Sequence, residues 1–289
     1  MIRRIHVVSI LSLLVVLVLG STSLPTPAAK AQGSVSPELF YAEIYTDPET
    51  GQLGRTVYFS DRGNKQLLSH WVPGDPNRGG GTNISFAIDV AQGAANGGLS
   101  AGDTSAAIRR AMNTWQSVNC SNIPLTDFGD QGDLGYVQWL LGFGGTPYWV
   151  ADVTFGGWLP GSFFDAIEAG GSQYILGVTF TLIWVDDVTG VPTDMDSNGK
   201  NDVAFREIYF NNNFAWAIGN HYDVETIALH EAGHGLSQGH FGEAFRTGNG
   251  KLQFNPRALM NAAYSGIQTT VSATDNGGHC SIWGSWPNR

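Results

Sequence analysis

The sequence predicts a mixed α/β (α+β) domain over residues 82–289. A small β-rich extension with a linker precedes it at 32–81, and a targeting segment at 1–31. Three observations carry this reading. The run Ile175–Val185 (ILGVTFTLIWV) is β-branched and aromatic, as in a buried strand. Ile108, Ala111, Met112, Trp115 and Val118 recur at helical spacing. The segments follow one another as strand, helix, further strands, helix, loop and short helix, an order that fits one mixed domain of catalytic size.

Taken in order, Met1–His6 carries Arg3 and Arg4, and Val7–Leu19 is apolar apart from Ser9 and Ser12. Small residues and prolines follow, ending in Ala29-Lys30-Ala31. A basic start, a short apolar run and an A-x-A site are the parts of a secretory signal peptide, with cleavage expected after Ala31. A membrane anchor is the competing reading, but the run falls short of the roughly 20 residues a bilayer needs. Residues 32–81 alternate short apolar and polar runs, as in Gly54–Ser60, and close on the turn-rich Pro73–Gly81. Thr82–Asp89 reads as a strand with Ile84, Phe86 and Ile88 on one face. Asp103 or Thr104 is placed to cap a helix running to about Val118. Residues 120–172 are rich in glycine and aromatics and give no clear period. Ile208–Phe210 reads as a short strand, and Asp223 as the opening of a second helix.

Composition narrows the function. The 289 residues carry 15 basic and 25 acidic side chains, a net charge of −10, which argues against a basic nucleic-acid groove. Only 14% of residues are charged, below the roughly 25% usual in soluble domains. With 38 glycines and 11% aromatics, that balance points to a rigid, loop-rich extracellular chain. No stable membrane insertion and no oligomer is expected. Cys120 and Cys280 are the two cysteines. In an oxidising compartment they are expected to be joined, two separate buried thiols being the alternative. Asn83 and Asn119 lie in glycosylation sequons.

The segment His230-Glu-Ala-Gly-His-Gly-Leu-Ser-Gln-Gly-His240 carries the chemistry. Residues four apart on a helix share a face, so His230 and His234 can present two imidazoles to one Zn2+. Glu231, on the neighbouring edge of that face, is placed to act on a water as general base. Gly235 and Gly239 let the helix stop and the chain bend back, so that His240 supplies the third ligand. Three neutral imidazoles and an open position suit catalytic zinc. His221 and His279 lack such spacing and read as structural or surface residues, while His70 could in principle reach the metal, with nothing in the pattern to support it.

His230–His240 resembles the zinc motif of the metzincin metalloproteases. Asp223–Leu229 resembles the helix lead-in of the matrixins, the matrix-metalloproteinase branch of secreted enzymes. Ala258–Tyr264 is similar to the matrixin Met-turn, with Met260 beneath the zinc ligands and Tyr264 four residues later. Ala107–Val118 and Asp275–Gly284 look like the first and closing helices, so the resemblance covers 82–118 and about 205–284. It implies a metzincin-like catalytic domain: a twisted mixed sheet, an active-site helix and a zinc cleft. It also implies zinc-dependent hydrolysis of an extended polypeptide lying along an edge strand, here Ile175–Asp186. Specificity would lie in the loop Ser265–Thr274. The chain departs from the pattern where Ser237 takes the internal glycine position, so the bend is expected to run through Gly235 or Gly239. Asn261 and Ala262 replace the Tyr-Pro after the methionine. Residues 32–119 hold no cysteine, so the thiol latch of animal matrixin zymogens is absent. A secreted adhesion protein on the same scaffold, or a zinc amidase acting on non-protein bonds, are the alternatives.

A second metal motif lies between strand and active-site helix. Asp194-Met-Asp-Ser-Asn-Gly-Lys-Asn-Asp202 has oxygens at alternating positions and glycine at the sixth, as in the start of a calcium loop. Asp194, Asp196, Asn198 and Asp202 are the expected side-chain ligands of a structural Ca2+, with Lys200 giving its carbonyl. Phe205 stands at the twelfth position, so the site is a loop rather than an EF-hand. A solvated acidic turn is the alternative.

Overall fold

A computed structural model describes residues 35–45, 66–247 and 252–288, with the backbone alone for 35–45. The signal segment and residues 46–65 of the extension lie outside the described residues. The first strand is β1 (Val35–Tyr45). After it come the short β2 (Ser69–His70), β3 (Ile84–Asp89), helix α1 (Ala101–Gln116) and β4 (Leu125–Gln131). Helix α2 (Tyr136–Leu140), β5 (Val153–Leu159) and α3 (Gly161–Ile167) occupy the stretch without a clear sequence period. They lead into the long strands β6 (Ile175–Asp186) and β7 (Asn201–Asn211). The remainder is β8 (Trp216–Ala217), β9 (Tyr222–Asp223), helix α4 (Val224–Gly235), the hairpin β10 (Glu243–Arg246) and β11 (Leu252–Asn255), and α5 (Ala273–Trp283).

The fold is mixed α/β. Seven strands form one sheet in the order β1-β6-β7-β5-β3-β4, with β2 added beside the start of β7. Strands β4, β3, β5 and β7 run parallel, β6 runs antiparallel to β7, and β1 runs antiparallel to β6. Parallel strands are covered on both faces. All six residues of β3 are accordingly buried, not only the face holding Ile84, Phe86 and Ile88. Helices α1, α4 and α5 cover one face through Trp115, Ile227 and Trp283, which cluster with Leu236 and Met260 of the chain after α4 and with Val153, Phe155 and Ile208 of the sheet. On the opposite face, Phe163, Phe164 and Ile167 of α3 pack on Val178, Phe180 and Tyr209.

Several elements differ from expectation for local reasons. Helix α1 starts at least three residues earlier because Ser100, not Asp103 or Thr104, is the cap: Ser100 and Asp103 form a reciprocal capping box. The strand expected at Ile208–Phe210 spans eleven residues, because the Asn201–Arg206 portion pairs with β6 and β2. Asp223 caps α4 as expected, its carboxylate accepting the Thr226 N–H at 2.8 Å. Strand β6 matches its expected span but is not an edge, since β1 lies along its outer side. Cys120 and Cys280 are joined, with Cα atoms 5.6 Å apart, tying the end of α1 to α5. No helix among the described residues is long and apolar enough to cross a membrane.

Candidate metal centre

Helix α4 is buried all round, packed between α1 and the sheet. The Trp115 indole on α1 donates to the Leu229 carbonyl at 2.8 Å, fixing the helices at the residue just before the motif. His230 and His234 leave α4 on one face, as their spacing requires. Past Gly235 the chain reverses, with the Gln238 N–H donating to the Gly233 carbonyl at 2.8 Å. His240 then returns to the pair. The three Nε2 atoms form a nearly equilateral triangle with sides of 3.0, 3.0 and 3.1 Å.

The protons on those rings fix what the triangle can hold. His230 Nδ1 lies 2.8 Å from the Leu259 carbonyl, and His234 Nδ1 lies 2.7 Å from the Gln238 carbonyl. A carbonyl only accepts, so both Nδ1 atoms carry the proton and both Nε2 atoms present lone pairs. Burial holds the His230 imidazolium down to a pKa of about 4. Burial, with the neighbouring imidazoles, keeps those of His234 and His240 well below the ordinary value. Converging lone pairs on neutral rings, 3 Å apart, are the donor set of a cation. Three imidazoles, with no fourth ligand grouped with them among the described residues, fit an open zinc site.

The turn to His240 is not built as the glycines suggested. Gly235 ends α4, and neither it nor Gly239 takes a left-handed conformation. Ser237 does, at φ 70°. The cost of that conformation for a side chain is offset by its hydroxyl. Ser237 Oγ lies 2.9 Å from Arg206 Nη1, which donates to it, and 3.0 Å from His70 Nδ1. Arg206 is fully buried on β7. It also donates to the Gly235 carbonyl at 2.9 Å, to Ser69 Oγ at 2.9 Å and to Thr181 Oγ1 at 3.0 Å. No acidic partner of Arg206 is found among the described residues, and burial lowers its pKa to about 9. His70 thus belongs to the bend, not to the triad. His279 hydrogen-bonds Ser121 Oγ at 2.8 Å and stacks on Trp115.

Met260 lies under α4, where an added Cβ on Gly233 would come 2.5 Å from its sulfur. Asp275 holds that turn: its carboxylate accepts the Leu259 N–H at 3.0 Å and the Met260 N–H at 3.2 Å. The same Leu259 orients His230 through its carbonyl. Tyr264 does not face the triad. Its hydroxyl donates to the His221 carbonyl at 2.6 Å and accepts the Asp223 N–H at 3.3 Å, bracing the entry to α4. Burial raises its pKa to about 12. Glu231 is fully buried, and Thr179 Oγ1 of β6 donates to its Oε2 at 2.6 Å. Gly177, two residues earlier, leaves room for that carboxylate: a Cβ there would lie 3.0 Å from Glu231 Oε1. Sequence reasoning missed Thr179, Arg206 and Asp275, because each acts on the motif from a distant part of the chain, and it missed the role of Gly233, because the Met260 sulfur and Trp115 ring that leave it no room for a side chain lie far away in sequence.

In the acidic loop, carboxylate oxygens of Asp194, Asp196 and Asp202 lie within 4.8 Å of one another. Asp194 accepts the Asn198 and Gly199 N–H groups, each at 2.9 Å. Asn198 Oδ1 accepts the Lys200 N–H at 2.8 Å, and the Lys200 ammonium turns to Gln66. The loop therefore gathers three of the expected ligands, while the Asn198 oxygen is engaged locally. Asp202 is buried, and burial, with Asp196 and Asp194 nearby, raises its pKa to about 6. Mutual repulsion of this kind is what a hard cation with oxygen ligands relieves.

No protein-family model matches the chain, and no curated protein matches it.

Proposed function

We propose that the chain is a secreted zinc endopeptidase on a metzincin-like, matrixin-like catalytic domain, hydrolysing extended polypeptides. The carrying observation is the triangle of the His230, His234 and His240 Nε2 atoms, with Glu231 following His230 on the same helix. The sheet supports the reading as well: a parallel set ends in antiparallel β6, whose Thr179 and Gly177 lie against Glu231.

His230, His234 and His240 would hold the zinc, which when bound supplies Lewis acidity toward a carbonyl oxygen and lowers the pKa of a water toward 7. Glu231 takes the proton of the attacking water and delivers it to the leaving amine nitrogen. Thr179 keeps its carboxylate turned to that position. Backbone groups of β6 pair with the extended substrate, which fixes the scissile bond along the strand. Asp194, Asp196 and Asp202 would hold a structural calcium between β6 and β7, which steadies the strand the substrate uses.

The test is cleavage of casein by purified protein containing one zinc per chain. Activity is expected to vanish with a chelator and to fall by about 1000-fold or more in Glu231→Ala at unchanged zinc content. Wild-type protein that holds no zinc, or cleavage that survives loss of Glu231, overturns the reading.

A further inference from the structure

Strand β1 occupies the place where an extended substrate would add to the sheet. It runs antiparallel to β6 over the whole of that strand, from Val35 opposite Asp186 to Ile44 opposite Gly177. Three of its residues face the segment next to the general base: Ala42 is opposite Thr179, Glu43 opposite Val178 and Ile44 opposite Gly177. Thr179 donates to the Glu231 carboxylate, and Gly177 approaches it closely. A strand edge pairs with one neighbour only, because its free N–H and C=O groups form a single row. Glu231 has no solvent exposure and His240 only 7%.

We propose that Val35–Tyr45 is an autoinhibitory strand that fills the peptide-binding edge of β6 and must be displaced before an extended polypeptide can bind. The inference rests on the peptidase reading for the meaning of that edge, but the occupancy itself is testable without catalysis. The strap holds no cysteine, so it works through main-chain pairing rather than by offering sulfur to the metal. As a tethered segment it competes at a high effective concentration, which suits a latent form.

Of two consecutive strand residues, one has its N–H directed at the partner strand. The double variant Ala42→Pro with Glu43→Pro therefore removes at least one ladder hydrogen bond beside Glu231. The probe is a fluorescent synthetic peptide with the sequence of residues 35–45, added to full-length chains carrying Glu231→Gln so that nothing is cleaved. The proline variant is expected to bind it at least 10-fold tighter than the chain with an intact strap. Equal binding by the two, including none by either, overturns the proposal. A second pair, Val35→Cys with Asp186→Cys, tests the register independently of proline. A cross-link is expected on oxidation, and its absence with Cys120–Cys280 intact also overturns the proposal. With Glu231 restored, casein cleavage by the proline variant is expected to exceed wild type by at least 10-fold. If the peptide binds as stated while neither form cleaves casein, the strap stands and the peptidase reading fails.

Discussion

The hydroxyl of Thr179 on β6 donates to the carboxylate of Glu231 on α4 across 2.6 Å, with both residues buried. The bond joins the strand a substrate would use to the group that would move its proton. A hydrogen bond to a charged acceptor is worth about 1.5–3 kcal/mol. Thr179→Val keeps the shape and removes the donor. It is expected to lower kcat for casein about 10-fold at unchanged zinc content, because the carboxylate is no longer held in one orientation. Steady-state kinetics together with metal analysis check this; a change confined to KM would contradict it.

Ser237 is held left-handed at φ 70° by what its hydroxyl binds. Ser237→Ala keeps the backbone strain and loses both hydrogen bonds, and is expected to cost about 2 kcal/mol of stability. Ser237→Gly loses the same bonds but relieves the strain, and is expected to cost less than half as much. Urea unfolding at constant slope distinguishes them. Equal losses would show that the conformation stores nothing.

Gly233 has no room for a side chain: a Cβ would meet the Met260 sulfur at 2.5 Å and the Trp115 ring at 3.0 Å. Gly233→Ala improves helix propensity by about 1 kcal/mol, yet is expected to destabilise the fold by 1–3 kcal/mol through overpacking. It should also weaken zinc retention, because displacing Met260 disturbs the neighbouring Leu259 carbonyl that orients His230. Thermal melting and competitive zinc chelation measure the two effects. A variant more stable than wild type would refute the packing account.

Calcium binding in the acidic loop should depend on pH through Asp202. Its folded pKa is raised to about 6 from 3.8, chiefly by burial. Between those values the folded carboxyl holds a proton that the unfolded chain has lost. Without calcium this group therefore contributes stability that is present at low pH and lost as pH rises through about 6. Calcium needs the ionised form. Its stabilising effect is expected to be absent at pH 4.5 and to grow as pH rises past about 6. Asp202→Asn should abolish it. Scanning calorimetry with and without calcium reads both trends, and a calcium effect equal at pH 4.5 and pH 7.5 would exclude Asp202 as a ligand.

Local pattern made part of this protein legible in its sequence. The four-residue spacing of His230 and His234 puts two imidazoles on one face of any helix, so the pair could be read before the fold was known. The β-branched run at 175–185 likewise marked a buried strand, and Asp223 marked a helix start, because each signal is carried by adjacent residues. The Ser237 bend was misjudged for the complementary reason. A serine at a glycine position reads as strained until Arg206, thirty-one residues earlier, and His70, on another strand, are found bound to its hydroxyl. Thr179 and Asp275 went unseen on the same ground, since nothing local to a threonine in a strand or an aspartate in a helix announces the partner it meets. Only the tertiary structure decided that β6 is paired along its outer side. The backbone groups that make a strand an edge are identical in every residue, and which segment fills them depends on the folded path of the chain rather than on its pattern.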